Sequence, residues 1–401
     1  MAHHIPFVNS GNDCDILKKH YADSQIVRIQ LDTSFETIKK KLPKKMSLWI
    51  DPVIDGYHHF LSGSISPTSD KWNRLIQCYK IYDQYPLLAD KSFVKNPKHE
   101  KVQLFVFSIL DRCNKYKPEW ISVPQLPLET DASRNSINRA LAKATNEWKI
   151  KKDFKGKFIL PLIFTHKDQM YNKTAWGKKL NAAKAWFKYA DADGIWTVDS
   201  SLDDHEGSGP LDKRFPELIK FHKALKEDFP SGTKIIVGPY WGMNIVLWAR
   251  ELADYPAISL GSGYRYYISF GHIIGHVRSP STRVAISPIR RRVVVSGKFR
   301  EWLDSALKEV SDTDPAYVEL LSLKNNYDLF LVDKEVAKDQ VAHFYKEWLD
   351  RIDSIPAAGR MLGLYQDLSS AYVLGKQLTI LPEGTGRRPE RIAKQLMLNC
   401  L

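Results

Sequence analysis

Two hydrophobic rhythms alternate through the middle of the chain. Short apolar runs at 158–164, 194–198, 234–238 and 257–260 are separated by helix-like segments at 174–189, 215–228 and 241–252. Strands alternating with helices of this length predict βαβ units and a parallel sheet. Upstream, 25–30, 47–56 and 120–123 read as further strands. The segments 35–41, 71–82, 99–115 and 133–148 read as helices, the last with Ser133 as its N-cap. Seven strands are counted in this way and an eighth is unassigned. The fold class predicted is α/β, a TIM-like (β/α)8 barrel over 25–280. An N-terminal arm (1–24) precedes it, and a basic, mostly helical C-terminal extension (281–401) follows. The extension opens on a hairpin at 283–295 and continues in helices at 298–309, 315–323, 334–353 and 389–398. An open doubly wound sheet is the alternative, but no glycine-rich GxGxxG turn follows any strand.

Composition narrows the class. With 43% hydrophobic and 26% charged residues in 401, the chain reads as an ordinary soluble globular protein. It has no run of 18 apolar residues, so no membrane partner is expected. Met1-Ala-His-His-Ile-Pro6 lacks the regions of a signal peptide. Four scattered cysteines without a CxxC pair point to a cytoplasmic protein with free thiols and no structural zinc. The net charge of +13 attracts phosphate backbones. Lys39-Lys-Lys-Leu-Pro-Lys-Lys45 forms one compact basic patch. Arg290, Arg291 and Arg292 form another, and Arg387 and Arg388 a third; a solvated lysine-rich surface is the competing reading.

Ligands of parallel α/β folds bind at the carboxyl ends of the strands, so residues there are candidates for chemistry. Asp51 and Asp55 end one strand, with His58 and His59 beyond, and offer a general acid or base or else turn caps. Asp199, followed by Asp203, Asp204, His205 and Glu206, offers a nucleophilic carboxylate, a divalent-metal site or a solvated loop. Gly261-Ser-Gly263-Tyr-Arg265-Tyr-Tyr267 combines close backbone approach with an arginine and aromatic rings, a pattern suited to a nucleobase or phosphate. The same tyrosines could instead pack under a rim helix. His272 and His276 lie four apart without a third ligand of matching spacing, and no metal site is predicted.

Over roughly 45–275 the order of segments resembles the tRNA-guanine transglycosylase superfamily, including its DNA-modifying relatives that insert 7-deazaguanine bases. Leu48-Trp-Ile-Asp51 is similar to the family's strand ending in an aspartate, and the run from Lys115 to Pro124 to the segment leading to its base-recognising strand end. Phe164-Thr-His166, Asp199-Ser-Ser201 and Gly238-Pro-Tyr240 resemble the successive pocket strands, and 257–265 falls where the nucleophile strand lies. The chain has Pro124-Gln125 at the base-recognising end and Ser259 on the nucleophile strand, where the family carries aspartates. It also lacks the zinc-binding cysteine cluster of the tRNA enzymes.

The resemblance implies base exchange at a glycosidic bond of DNA, or less readily of tRNA, with Asp51 and Asp199 as the catalytic carboxylates. Gln125, His166, Tyr240, Gly261, Gly263 and Arg265 would line the pocket, and the five arginines named above would hold the nucleic acid. No cofactor is implied beyond a 7-deazaguanine base as co-substrate. The partners implied are DNA or RNA and proteins of a modification or defence system. A non-catalytic nucleic-acid-binding barrel and a metal-dependent hydrolase are the alternatives.

Overall fold

A computed structural model describes residues 4–63, 70, 73, 86–202, 211–260, 266, 282–381 and 388–400. Eight parallel strands close into a barrel in chain order. They are β1 (Ile5–Val8), β2 (Ile26–Gln30), β3 (Ser47–Asp51), β4 (Trp120–Ser122), β5 (Lys157–Phe164), β6 (Gly194–Asp199), β7 (Lys234–Val237) and β8 (Tyr255–Ser259). Between them run α1 (Asp13–His20), α2 (Phe35–Lys41), α3 (His99–Asn114), α4 (Asn135–Lys152), α5 (Lys173–Ala190), α6 (Leu211–Asp228) and α7 (Met243–Ala249). The TIM-like α/β barrel expected from the sequence is the observed fold.

The eighth strand is Ile5–Val8, which corrects the reading of 1–24 as an arm. It pairs with β2 through Phe7↔Arg28 and with β8 through Ile5↔Ala257 and Phe7↔Ser259, so it closes the cylinder. Four buried residues are too few to show a period, and nothing upstream supplies a βα rhythm to place them in. The expected Ser133 cap is also displaced. Helix α4 begins at Asn135 after Arg134, and the Ser133 backbone N–H is instead bound to Asp131 Oδ1 at 2.8 Å. The helix expected near 71–82 lies outside the described residues.

Beyond β8, a two-stranded antiparallel hairpin joins β9 (Arg283–Ile286) to β10 (Arg291–Val294). There follow α8 (Gly297–Glu309), α9 (Pro315–Asn325), α10 (Tyr327–Val332), α11 (Lys334–Asp353), α12 (Ala357–Gln377) and α13 (Arg391–Leu398). The extension divides between two cores. Val284, Ile286, Phe299, Trp302, Leu320 and Phe330 pack with one another in a separate cluster. Tyr345, Trp348, Leu364, Leu368 and Leu396 instead join the barrel's own core. Helix α11 packs on α1 and α12 on α7, so the extension fills the eighth helical position, where no barrel helix follows β8 among the described residues.

Inside the barrel, strand alternation turns every second side chain inward. Phe7, Trp49 and Trp196 meet edge to face at centroid distances of 5.4–5.6 Å. The Arg28 guanidinium lies 4.4 Å from the Phe7 ring centroid and 4.8 Å from that of Trp196. Trp49 Nε1 donates to Ser122 Oγ at 2.9 Å. The barrel is thus plugged by rings and one arginine rather than by branched aliphatics. Each such aromatic pair contributes about 0.5–1.5 kcal/mol beyond area burial.

Candidate active site at the barrel mouth

The carboxyl end of β3 begins the site. Asp51, its last residue, is 6% exposed and accepts a hydrogen bond from the Arg28 guanidinium and one from the Val53 N–H at 3.1 Å. Val53 has φ +57°, a left-handed conformation that a β-branched residue rarely adopts. This turn carries the chain back over the mouth into a 3-10 turn, Asp55–Tyr57. The Asp55 carboxylate accepts the Tyr266 hydroxyl. Burial, and then the charge of Asp55, push the Tyr266 phenol well above its ordinary range, so it is neutral and donates.

Gln125 follows β4. Its side-chain N–H donates to the Asn138 carbonyl at 2.9 Å, while its buried Oε1 has no partner among the described residues. Asp51, Asp55, Gln125, Trp196 and Tyr266 share one small opening with Pro124 and Ile163. Its cavity volume is about 10 Å³, room for about one water and far below the roughly 300 Å³ at which ligand pockets usually begin. A buried acceptor without a donor costs about 1–3 kcal/mol, which a ligand N–H at that point would recover.

Asp199 lies elsewhere, which corrects its reading as a mouth carboxylate. It ends β6, but its carboxylate is bound by Arg214 of α6, by the Ser201 N–H at 2.9 Å and by the Ser201 hydroxyl at 2.7 Å. Thr197, two residues back and on the same face of the strand, meets His222 of the same helix at 2.9 Å. Alternation therefore turns Asp199 outward into the helical layer while Trp196 points into the barrel. The Asp199 N–H donates to the Tyr240 hydroxyl, so Tyr240 is also held within the core behind the strands.

His166 sits exposed after β5, where it caps the turn Lys167–Met170 and pairs with Asp168 at 3.3 Å. Arg290, Arg291 and Arg292 form no surface patch, contrary to the reading of the sequence. Arg290 grips both oxygens of Asp367 at 2.9 and 2.6 Å and lies over Phe344 and Trp348. Arg291 donates to the Arg388 carbonyl at 2.5 Å, and Arg292 covers Trp241. A run of like charges reveals nothing of burial, and a guanidinium tolerates burial when its fork is paired. Arg388 itself is exposed. Gly261, Gly263, Arg265, Arg387, Asp203, Asp204, His205, Glu206, His272 and His276 lie outside the described residues.

Sequence reading passed over two arginines, Arg28 and Arg214, each of which pairs with one of the predicted aspartates. The signal was present for Arg28, a lone cation within the buried run Ile26–Gln30. It passed over a second cleft as well, of about 290 Å³, lined by Ser62, Lys91, Glu129, Asp131 and Arg134. There the Glu129 carboxylate takes Arg134 and faces His58 Nδ1 at 3.2 Å. Burial opposes ionisation of Glu129, but His58 and Arg134 hold its carboxyl below the usual range. Burial also brings Arg134 down to about 10.

Among the described residues no group of three His, Cys, Asp or Glu side chains is placed to hold a metal ion, and no helix is long and apolar enough to cross a membrane. No protein-family model matches the chain, and no curated protein matches it. Among solved structures it is similar to the enoyl reductase domain of MlnA from the macrolactin biosynthesis cluster of Bacillus amyloliquefaciens. The identity is 9% and the TM-score 0.30, over 100% of this chain and 94% of that one. A likeness that low carries neither fold nor function.

Proposed function

We propose that the barrel mouth recognises a planar nitrogenous base and that the protein exchanges guanine in nucleic acid, DNA in preference to tRNA, for a 7-deazaguanine. One observation supports this reading above the rest. Asp51, Asp55 and Gln125, whose buried Oε1 has no partner among the described residues, line one opening together with Trp196 and Tyr266. The rings of Trp196 and Tyr266 stand at 87° to one another, and acceptors beside them complement a heterocycle that presents N–H donors along one edge, as guanine does.

Base exchange needs two carboxylates, and Asp51 and Asp55 are the pair at this mouth. One attacks the sugar C1′ as the bond from C1′ to the departing base breaks, and the other gives that base its proton. In the return step the incoming base's ring nitrogen takes C1′, the ester to the first carboxylate breaks, and the second carboxylate recovers the proton. Arg28 fixes the Asp51 carboxylate by a charge-assisted bond, and the neutral Tyr266 hydroxyl fixes that of Asp55.

The test incubates the full chain with duplex DNA, single-stranded DNA or tRNA and a labelled guanine or 7-deazaguanine, with and without EDTA. Label incorporation that survives EDTA supports the reading, and EDTA-sensitive strand cleavage replaces it with metal-dependent hydrolysis. A second reading, base recognition without turnover, rests on the same ion pair, since Asp51 is already engaged by Arg28. Saturable base binding without incorporation would favour it.

A further inference from the structure

We infer that the opposite face of the barrel, at the amino ends of β3, β4 and β5, docks the phosphate backbone of a nucleic acid. The turns from helix to strand open on that face, away from the mouth. They carry Lys44 and Lys45 before β3, Lys115 and Lys117 before β4, and Lys155 and Lys157 at the start of β5. All six are exposed. Strands β3 and β4 pair at Trp49↔Trp120, and β4 and β5 at Trp120↔Lys157, so the three turns are neighbours. Adjacent strands lie about 4.8 Å apart, which gathers these turns within roughly 10 Å.

Two ordinary explanations for the lysines fail. Basic residues in the last turn of a helix complement its dipole, as at the ends of α2 and α4. Lys115 is the C-cap of α3 and fits that account, but Lys44, Lys45, Lys117 and Lys155 lie in the connecting turns beyond the helix ends, and Lys157 opens a strand. A solvated surface would mix signs evenly, and this face does not. Under β6 to β8 three lysines are matched, Lys149 on Asp191, Lys184 on Asp228 and Lys226 on Asp254, while Lys234, which opens β7, has no ion pair among the described residues. Under β3 to β5, Lys155 pairs with Asp153, while Lys44, Lys45, Lys115, Lys117 and Lys157 have no ion pair among the described residues.

Other carboxylates near the patch are committed. Asp111 takes Lys152, and Glu36 accepts the Tyr116 hydroxyl at 2.6 Å, which leaves Glu119 to oppose the row. Unpaired ammonium groups on flexible stems suit a regular polyanion bound through counterion release rather than a fitted ligand. Anionic membrane is the lesser match, because the lysines sit in turns rather than on a helix with an apolar face to insert. The Lys157 end of β5 lies about 23 Å from its mouth end, seven steps of about 3.3 Å. The dock is therefore separate from the mouth and does not depend on what the mouth binds.

The experiment measures anisotropy of a labelled 20-base-pair duplex, and pelleting with phosphatidylserine vesicles, against the full chain over a salt series. The variant is K44Q/K45Q/K115Q/K117Q, and the control K298Q/K308Q/K376Q/K394Q removes the same charge from exposed sites on the extension. The patch variant is expected to bind duplex roughly tenfold or more weakly at low salt. Its slope of log K against log salt should fall by about 3 to 4, near 0.9 per lost phosphate contact. Equal losses in patch and control variants would overturn the proposal, as would absence of duplex binding by the wild-type chain or binding to vesicles alone. A failure of the mouth reading is thus read in turnover and a failure of the dock in anisotropy.

Discussion

Arg28 and Asp51 form a buried ion pair between adjacent strands of the barrel, two residues apart in register. Arg28 stands opposite Trp49, and Asp51 opposite Gln30. The guanidinium reaches up from the aromatic plug to the mouth, so a single contact joins the core to the candidate chemistry. Burial alone would ease the proton off Arg28; the groups around it, Asp51 first and Asp55 among them, together outweigh burial and raise the arginine further, which keeps the cation in place.

Arg28→Met should therefore destabilise the fold by about 3–5 kcal/mol, because it strands a buried carboxylate. Arg28→Met combined with Asp51→Leu should cost clearly less than the two single changes summed. Urea denaturation of the four proteins checks this. Additive losses would show that the two residues do not depend on one another.

Asp199 should matter for stability and not for chemistry. Asp199→Ala leaves Arg214 buried and unpaired, and a loss of about 3–5 kcal/mol is expected. Pairing Asp199→Leu with Arg214→Met should recover much of it, and base binding at the mouth should be retained. Loss of binding by that double variant at normal stability would return Asp199 to the site.

His222 sets an acid limit. Burial lowers its pKa from 6.5 to about 4. The unfolded chain therefore binds a proton that the folded chain refuses between those values. Stability from this source is complete above about pH 6.5, declines as pH falls, and levels off below about 4. The full span corresponds to on the order of 3 kcal/mol. Thermal melts at pH 7, 5.5 and 4.5 should show a steeper decline for wild type than for His222→Gln. Parallel curves would remove His222 as the cause.

The barrel was legible because seven of its strands are short apolar runs set between helices of matching length. What escaped was the direction in which strand-end residues face. Asp51 and Asp199 look alike in sequence, each following a tryptophan-containing apolar run, yet one turns to the mouth and the other to α6. A strand buried on both faces shows no alternation to reveal its parity. The three consecutive arginines misled for a related reason, since their partners lie 77 and 97 residues away in sequence. Helix α12 went unread because its buried positions are few and it contains three glycines. At Gly375 a Cβ would come within 2.7 Å of the Glu390 backbone, so glycine there permits close approach of the chain leading into α13.

The account turns on the mouth as a base site, and label incorporation by wild type, Asp51→Asn, Asp55→Asn and Gln125→Met tests it most directly. Wild type is expected to place 7-deazaguanine into DNA in the presence of EDTA. Each aspartate variant should lose that incorporation by roughly a hundredfold or more while remaining folded. Gln125→Met should retain turnover but bind the base roughly tenfold more weakly, from the lost acceptor. Absence of incorporation into either DNA or tRNA by the full chain, or undiminished incorporation by Asp51→Asn, would contradict the account.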